Sequence, residues 1–215
     1  MKRLLFSFLF FSISLLLFSQ KDQFQPEWAF GVNAGPTFSS VRFNPRISQE
    51  NLTQYSVGVT VRYISEKSIG IQAELNYSLR GWRDLTDDVY INEYHHTLSY
   101  LELPLLTHLY FEFGKRVRFV FNVGPQVSYN LGEKWELELK NQEPQTYYDL
   151  PLQRKFEYGI KACTGFEFRT GIGSFILDGR YYFGLSDIFN NTKADYFAAS
   201  ANQVIGVNLT CLIRK

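Results

Sequence analysis

Charged residues recur at alternate positions along this chain, the spacing that places them on one face of extended backbone. Six acids share that placement: Glu74, Glu102, Glu112, Glu157, Glu167 and Asp178. Six bases match them: Arg62, Arg80, Arg118, Lys161, Arg169 and Arg180. His108 falls in the same set, near Glu102 and Glu112 in sequence. Such groups could pair with one another and fill a closed interior, because buried charge is tolerated when it is paired and hydrogen-bonded. They could instead line a charged pore. His108 with Ser78 or Ser99 and a carboxylate could also be imagined as a nucleophilic triad. The equal count of acids and bases favours the paired interior, and no nucleophile elbow supports the triad.

Two further groups invite a chemical reading. His95 and His96 lie beside Asp84, Asp87, Asp88 and Glu93 in a polar connector. Carboxylates and imidazoles together can hold a divalent cation, but this spacing matches no metal motif, so a solvated loop is expected. Trp135, Tyr147 and Tyr148 stand in another long connector. There Trp135, Leu137 and Leu139 alternate with Glu136, Glu138 and Lys140, continuing the outward phase of the strand before them. Exposed aromatics of this kind mark a candidate binding surface; the alternative is a hairpin that extends and packs on neighbouring loops. No Walker motif, dinucleotide fingerprint or zinc-type cysteine cluster is present, so no cofactor is expected.

The elements that must position these groups are strands. The segment 116–131 is the clearest. Val117, Phe119, Phe121, Val123, Pro125, Val127, Tyr129 and Leu131 alternate with Arg116, Arg118, Val120, Asn122, Gly124, Gln126, Ser128 and Asn130. Only Val120 breaks the polar set. Period-two alternation of this length predicts a half-buried strand. The same pattern predicts strands over 28–41, 54–64, 68–82, 97–113, 154–170, 174–186 and 201–213. Aromatics make up 17% of the chain, which favours β structure. Gly-Pro pairs at Gly35–Pro36 and Gly124–Pro125 interrupt two strands and are candidate bulges.

Connector length sorts into two classes that alternate. The short connectors are 65–67, 114–115 and 171–173, and the long ones span 42–53, 83–96, 132–153 and 187–200. Tight turns on one rim and long loops on the other are the signature of a transmembrane β-barrel. The interior of an eight-stranded barrel is just wide enough for side chains to fill. The polar set is thick with glycine, including Gly31, Gly35, Gly58, Gly124 and Gly165, whereas the apolar set is bulky. The polar face therefore points in and the apolar face points to lipid. The fold class expected is all-β, an eight-stranded antiparallel up-and-down transmembrane barrel. Trp28 and Trp82, at opposite ends of their strands, are expected in the two aromatic girdles. An even strand number puts both chain ends on the rim with short turns, the periplasmic one. Cys163 and Cys211 take opposite faces and should be free thiols, since opposite sides of a wall cannot meet disulfide geometry.

The first nineteen residues read as a secretory signal peptide, with Lys2 and Arg3 before an apolar run and a small residue, Ser19, at the end. No cysteine follows, so lipidation there is not expected. Residues 20–27 form a short N-terminal segment and 28–215 a single barrel domain. Without Lys2 and Arg3, a formal charge of +1 becomes −1, which does not suggest nucleic acid.

Beyond this grammar, some stretches resemble a known family. Tyr-Leu-Glu-Leu-Pro-Leu-Leu at 100–106, Arg-Tyr-Tyr-Phe-Gly-Leu at 180–185 and the two Gly-Pro pairs are similar to the PorT-like outer-membrane β-barrel proteins of Bacteroidetes. That family includes a component of a protein-secretion and gliding apparatus and supplies no catalytic residues. The chain departs from many outer-membrane proteins in ending on Ile-Arg-Lys rather than an aromatic residue. The expected function is non-enzymatic, a scaffold or accessory protein in the outer membrane of a Gram-negative bacterium. Its expected partners are lipid and proteins met through the extracellular loops or periplasmic rim. The rivals are a small pore and a lipid-modifying enzyme with rim residues near His95 and His96.

Overall fold

The computed structural model describes residues 24–84, 93–138, 150–191 and 197–214. The signal-peptide segment, Asp87, Asp88, Tyr147 and Tyr148 lie outside the described residues. Among the described residues eight long strands form one antiparallel sheet: β1 (Glu27–Asn44), β2 (Leu52–Glu66), β3 (Ile69–Asp84), β4 (Glu93–Phe113), β5 (Val117–Glu138), β6 (Phe156–Arg169), β7 (Ser174–Gly184) and β8 (Ala199–Arg214). Each strand pairs with its neighbours in sequence, and β1 pairs with β8, which closes the barrel. A two-residue strand, Gln49–Glu50, adds to the end of β3.

The faces follow parity. Val32, Val57, Ile71, Leu103, Phe121, Phe166 and Leu209 are exposed, whereas Asn33, Thr60, Gln72, Glu102, Asn122, Glu167 and Asn208 are buried. An outward apolar belt around an inward polar set is the reverse of a soluble protein. Inward glycines answer to crowding: a Cβ on Gly31 would stand 1.8 Å from the Cys211 carbonyl oxygen, whereas one on outward Gly179 would meet nothing nearer than 3.9 Å. The β4–β5 turn depends on Gly114, whose φ of 72° is left-handed and disfavours other residues. Both cysteines are free, Cys163 buried and Cys211 partly exposed.

Four expectations need correction. First, the strands run further than the alternation suggested. His95 and His96 belong to β4, paired with Arg83 and Trp82, rather than to a loop. Beyond the apolar belt the outward positions turn polar (Arg83, His95, Thr97, Ser99), so the hydrophobic alternation fades while backbone pairing continues. Second, neither Gly-Pro pair is a bulge. The β1–β2 register passes through Gly35↔Ser56 and Pro36↔Tyr55 without a shift. The β1–β8 ladder omits those two residues and resumes in the same register. A proline forfeits one N–H donor on one side of a strand, and that loss is local.

Third, a real bulge lies elsewhere, where Tyr100 pairs with Asn130 but Ser99 pairs with Gly132. Leu131 is the extra residue, and one extra residue reverses which face each later side chain takes. Trp135 therefore stands opposite inward-facing His96 and does not continue the outward phase. Fourth, Trp82 is only 1% exposed and lies inside the barrel, not in a girdle. Trp28 does face outward, 4.6 Å from the Tyr63 ring.

Candidate functional site

The inside of the barrel has three layers. At the rim with short turns, Ala29, Ile64, Tyr110, Val120, Ile176 and Leu212 form a buried apolar cluster, with Phe24 packed against it. Val120, the exception to polar parity in β5, belongs to this plug. At the other rim Val41, Phe43, Trp82, Tyr94, Leu98, Tyr100, Ile188, Phe189 and Phe197 form a second cluster. Its aromatic rings interlock: Phe43 lies 4.5 Å from Phe197 and 5.2 Å from Trp82. Burying each such side chain is worth about 1.5–3 kcal/mol.

Between the plugs lies the charge network. Arg80 pairs with Glu102 at 2.6 Å and with Glu157 at 3.1 Å, and its guanidinium lies over the Tyr100 and Tyr182 rings. Arg180 pairs with Asp178 at 2.6 Å and Glu74 at 2.9 Å. Lys161 bridges the two groups, 3.5 Å from Glu74 and 3.8 Å from Glu102. Arg62 pairs with Glu167 at 3.1 Å and donates to Gln72, whose amide donates in turn to Glu74. Five carboxylates and four cations thus form one connected cluster. The cavity left among them is about 30 Å³, lined by residues including Ser78, Arg80, Glu102, Lys161 and Arg180. That volume suits a water or two.

Three members of the charged set lie outside that cluster, towards the rim with short turns. Glu112 is half-exposed and pairs with Arg118 at 2.8 Å. Arg169 reaches Glu27 at 3.0 Å, where β1 begins. His108 faces inward, but its hydrogen-bond partner is Asn122, at 2.6 Å from Nδ1, and its ring stacks on Tyr110. Neither Ser78 nor Ser99 makes a hydrogen bond with His108 among the described residues, so the imagined triad is not assembled. Among the described residues no cluster of His, Cys, Asp or Glu could hold a metal ion.

Sequence reasoning missed a second polar relay, in the plug at the long-loop rim. The Tyr94 hydroxyl stands 2.9 Å from His96 Nδ1, and His96 Nε2 stands 2.9 Å from Glu133. A neutral imidazole satisfies both contacts, with Nε2–H donating to the carboxylate and Nδ1 accepting from the phenol. Glu133 also accepts from the Leu152 backbone N–H, fastening the start of the next segment. The Glu133 side chain points inward only because of the bulge at Leu131.

Burial holds the His96 imidazole below its ordinary value, against the opposing pull of Glu133. A base whose folded value is depressed takes up its proton later than the unfolded chain does as pH falls. The unfolded state then binds more protons, so His96 supports stability above about pH 6.5 and loses that support below it. Acidifying from about pH 7.5 to about pH 5.5 should therefore loosen this plug, read by tryptophan fluorescence during urea unfolding in vesicles. His96→Gln should flatten that pH dependence. An unchanged slope in the variant would remove His96 as its source.

A closed sheet with an apolar exterior and a packed, charged interior defines a membrane-spanning β-barrel. The chain belongs to the outer membrane protein beta-barrel domain family, whose model matches residues 18–190. Its place is therefore the outer membrane. No curated protein matches the chain. Similar solved structures include the outer membrane protein OprG from Pseudomonas aeruginosa, at 10% identity, covering 88% of this chain and 95% of that one, with a TM-score of 0.49. Neisserial surface protein A is similar at 12% identity, covering 86% and 97%, with a TM-score of 0.42. AlkL, solved in lipid bilayers, is similar at 11% identity, covering 89% and 90%, with a TM-score of 0.42.

Proposed function

We propose that this protein is a non-conducting, non-enzymatic barrel that anchors a binding surface in the outer membrane. The observation that carries this reading is the sealed interior: two apolar plugs with a paired charge network between them. A channel would need a continuous wet path, and the central cavity has room only for a water or two. The partner-facing surface on this reading is the strand extension beyond the membrane. There Trp135 remains 47% exposed, beside an exposed Lys134–Glu136 pair. Tyr147 and Tyr148 would belong to the same surface.

The likeness to PorT-like barrels supports an accessory role in a protein-secretion apparatus. Within the block at 100–106, Tyr100 and Glu102 embrace Arg80 and Leu106 is buried, whereas Leu101, Leu103 and Leu105 face outward, so the block serves both faces of the wall. Residues 1–19 would direct export and 28–215 would form the barrel domain.

The test is electrical. Refolded protein in planar bilayers should show no unitary conductance steps. Stepped conductance from the unaltered protein would sink the reading.

A further inference from the structure

The outer wall carries a groove that the sealed-interior reading does not use. It lies where β1 meets β8, beneath the connection from Asn44 to Leu52, and has a volume of about 610 Å³. Two arginines line it, Arg42 from the end of β1 and Arg46 from the connection, with polar Ser40 and Gln203 in the wall. No acidic residue lines it. Among the described residues neither arginine has a carboxylate partner. This is unusual here, where the interior arginines are all paired.

The groove is built rather than a chance gap. The Gln49 side chain accepts from the Val41 backbone N–H at 3.0 Å and donates to the Val41 carbonyl, clamping the connection to β1. The Ala198 N–H donates to the Asn44 carbonyl at 2.7 Å and fixes its other side. The Arg42 guanidinium lies 4.5 Å above the Phe183 ring. Stacking on a ring orients a guanidinium without neutralising it, so its donors remain available.

Height identifies the ligand class. Along β1 the outward side chains run from Trp28 to Phe38 and are apolar, then change to Ser40 and Arg42. Ten residues of strand span about 34 Å, or about 25 Å along the membrane normal at the usual tilt. That equals the apolar band of a barrel of this class, so Arg42 stands just above it, on the long-loop rim. Ser40 pairs with Gln203, and Ile205 is the next outward residue below it, so β8 makes the same transition at the same height. The groove therefore opens at the level of lipid headgroups, with Phe38, Tyr181 and Ile205 below it facing the acyl chains.

We propose that this groove binds the phosphorylated headgroup of an outer-leaflet glycolipid, with Arg42 and Arg46 contacting phosphate and Gln203 contacting the sugar. Two guanidiniums without internal partners match a phosphate in charge and in donor geometry. The apolar wall beneath them receives the acyl chains that a free anion lacks.

The test uses the full mature chain folded in micelles and measures binding by native mass spectrometry. Three probes are compared: diphosphoryl lipid A, the same lipid with both phosphates removed, and inorganic phosphate. The folded protein should bind diphosphoryl lipid A about tenfold or more tightly than the dephosphorylated form. Arg42→Gln with Arg46→Gln should abolish that preference. Arg154→Gln should retain it, because Arg154 is an exposed rim arginine that already bonds Asn191. The altered positions are exposed, and unheated gel mobility checks that each variant folds. Equal binding of the two lipids, or an unchanged preference in the double variant, would overturn the proposal. Displacement of the lipid by millimolar inorganic phosphate would overturn it too, by making the site one for free anions.

Discussion

Replacing Arg80 with Met is expected to destabilise the folded barrel by about 3–5 kcal/mol, the usual loss when one partner of a buried ion pair is removed. Arg80 is 1% exposed and is the cation for both Glu102 and Glu157. Lys161, 3.8 Å from Glu102, covers part of that deficit. Glu157 would lose its cation and keep a neutral amide donor, Asn202 at 2.7 Å. The methionine would also forfeit the stacked contacts with Tyr100 and Tyr182. Adding Glu102→Gln and Glu157→Gln to Arg80→Met should recover much of the loss, because the penalty arises from uncompensated charge and not from missing volume. Equilibrium urea unfolding in lipid vesicles measures both variants. A loss below about 1 kcal/mol for Arg80→Met would mean that the network is hydrated and not buried.

Phe121→Arg should cost about 2–4 kcal/mol in vesicles, as a charge near the bilayer midplane does on the lipid face of a barrel. Phe121 lies 37% exposed in the middle of the outward belt, opposite Leu109 and Thr164. The contrast is Ile213→Arg, at the end of β8 and 70% exposed, where a charge near the interface should cost about 0–1 kcal/mol. The difference depends on depth and not on residue type. If both substitutions cost the same, the belt does not span hydrocarbon. Asn122, the inward neighbour of Phe121, is a poorer contrast than parity suggests, because it holds His108 by a short hydrogen bond.

Parity explains both what was legible and what was not. It separated Phe121 from Asn122 and Cys163 from Cys211 because each side chain's face depends only on its place in a locally extended strand. It failed past Leu131, where one bulged residue reversed the phase and carried Trp135 and Glu133 to the inner side. Gly132 flanks that bulge but reads equally well as the start of a loop, whereas the Gly-Pro pairs keep register. The position of Trp82 near a strand end suggests a girdle. Its even parity, shared with Arg80, already pointed inward and was the better guide. The plugs were hidden for a similar reason. Val120 reads as a lone exception to the polar face, and only its packing with Tyr110 and Ile176 at one end, like that of Leu98 with Tyr100 at the other, makes caps of such residues.

The sequence by itself determined the number of strands, their antiparallel order, the rim bearing long loops and the face turned to lipid. These follow from hydrophobic periodicity and connector length, which are local properties. Only the tertiary structure decided which charge meets which. Arg62 and Glu167 are 105 residues apart, Arg80 and Glu157 77, and Arg180 and Glu74 106. Their meeting depends on the stagger with which the sheet closes on itself and on how far each side chain reaches across the lumen. The same closure brings Phe43 of β1 against Trp82 of β3 and Phe197 beside β8, sealing one end. It also sets Ser40 of β1 beside Gln203 of β8, the pairing that forms the wall of the groove below Arg42.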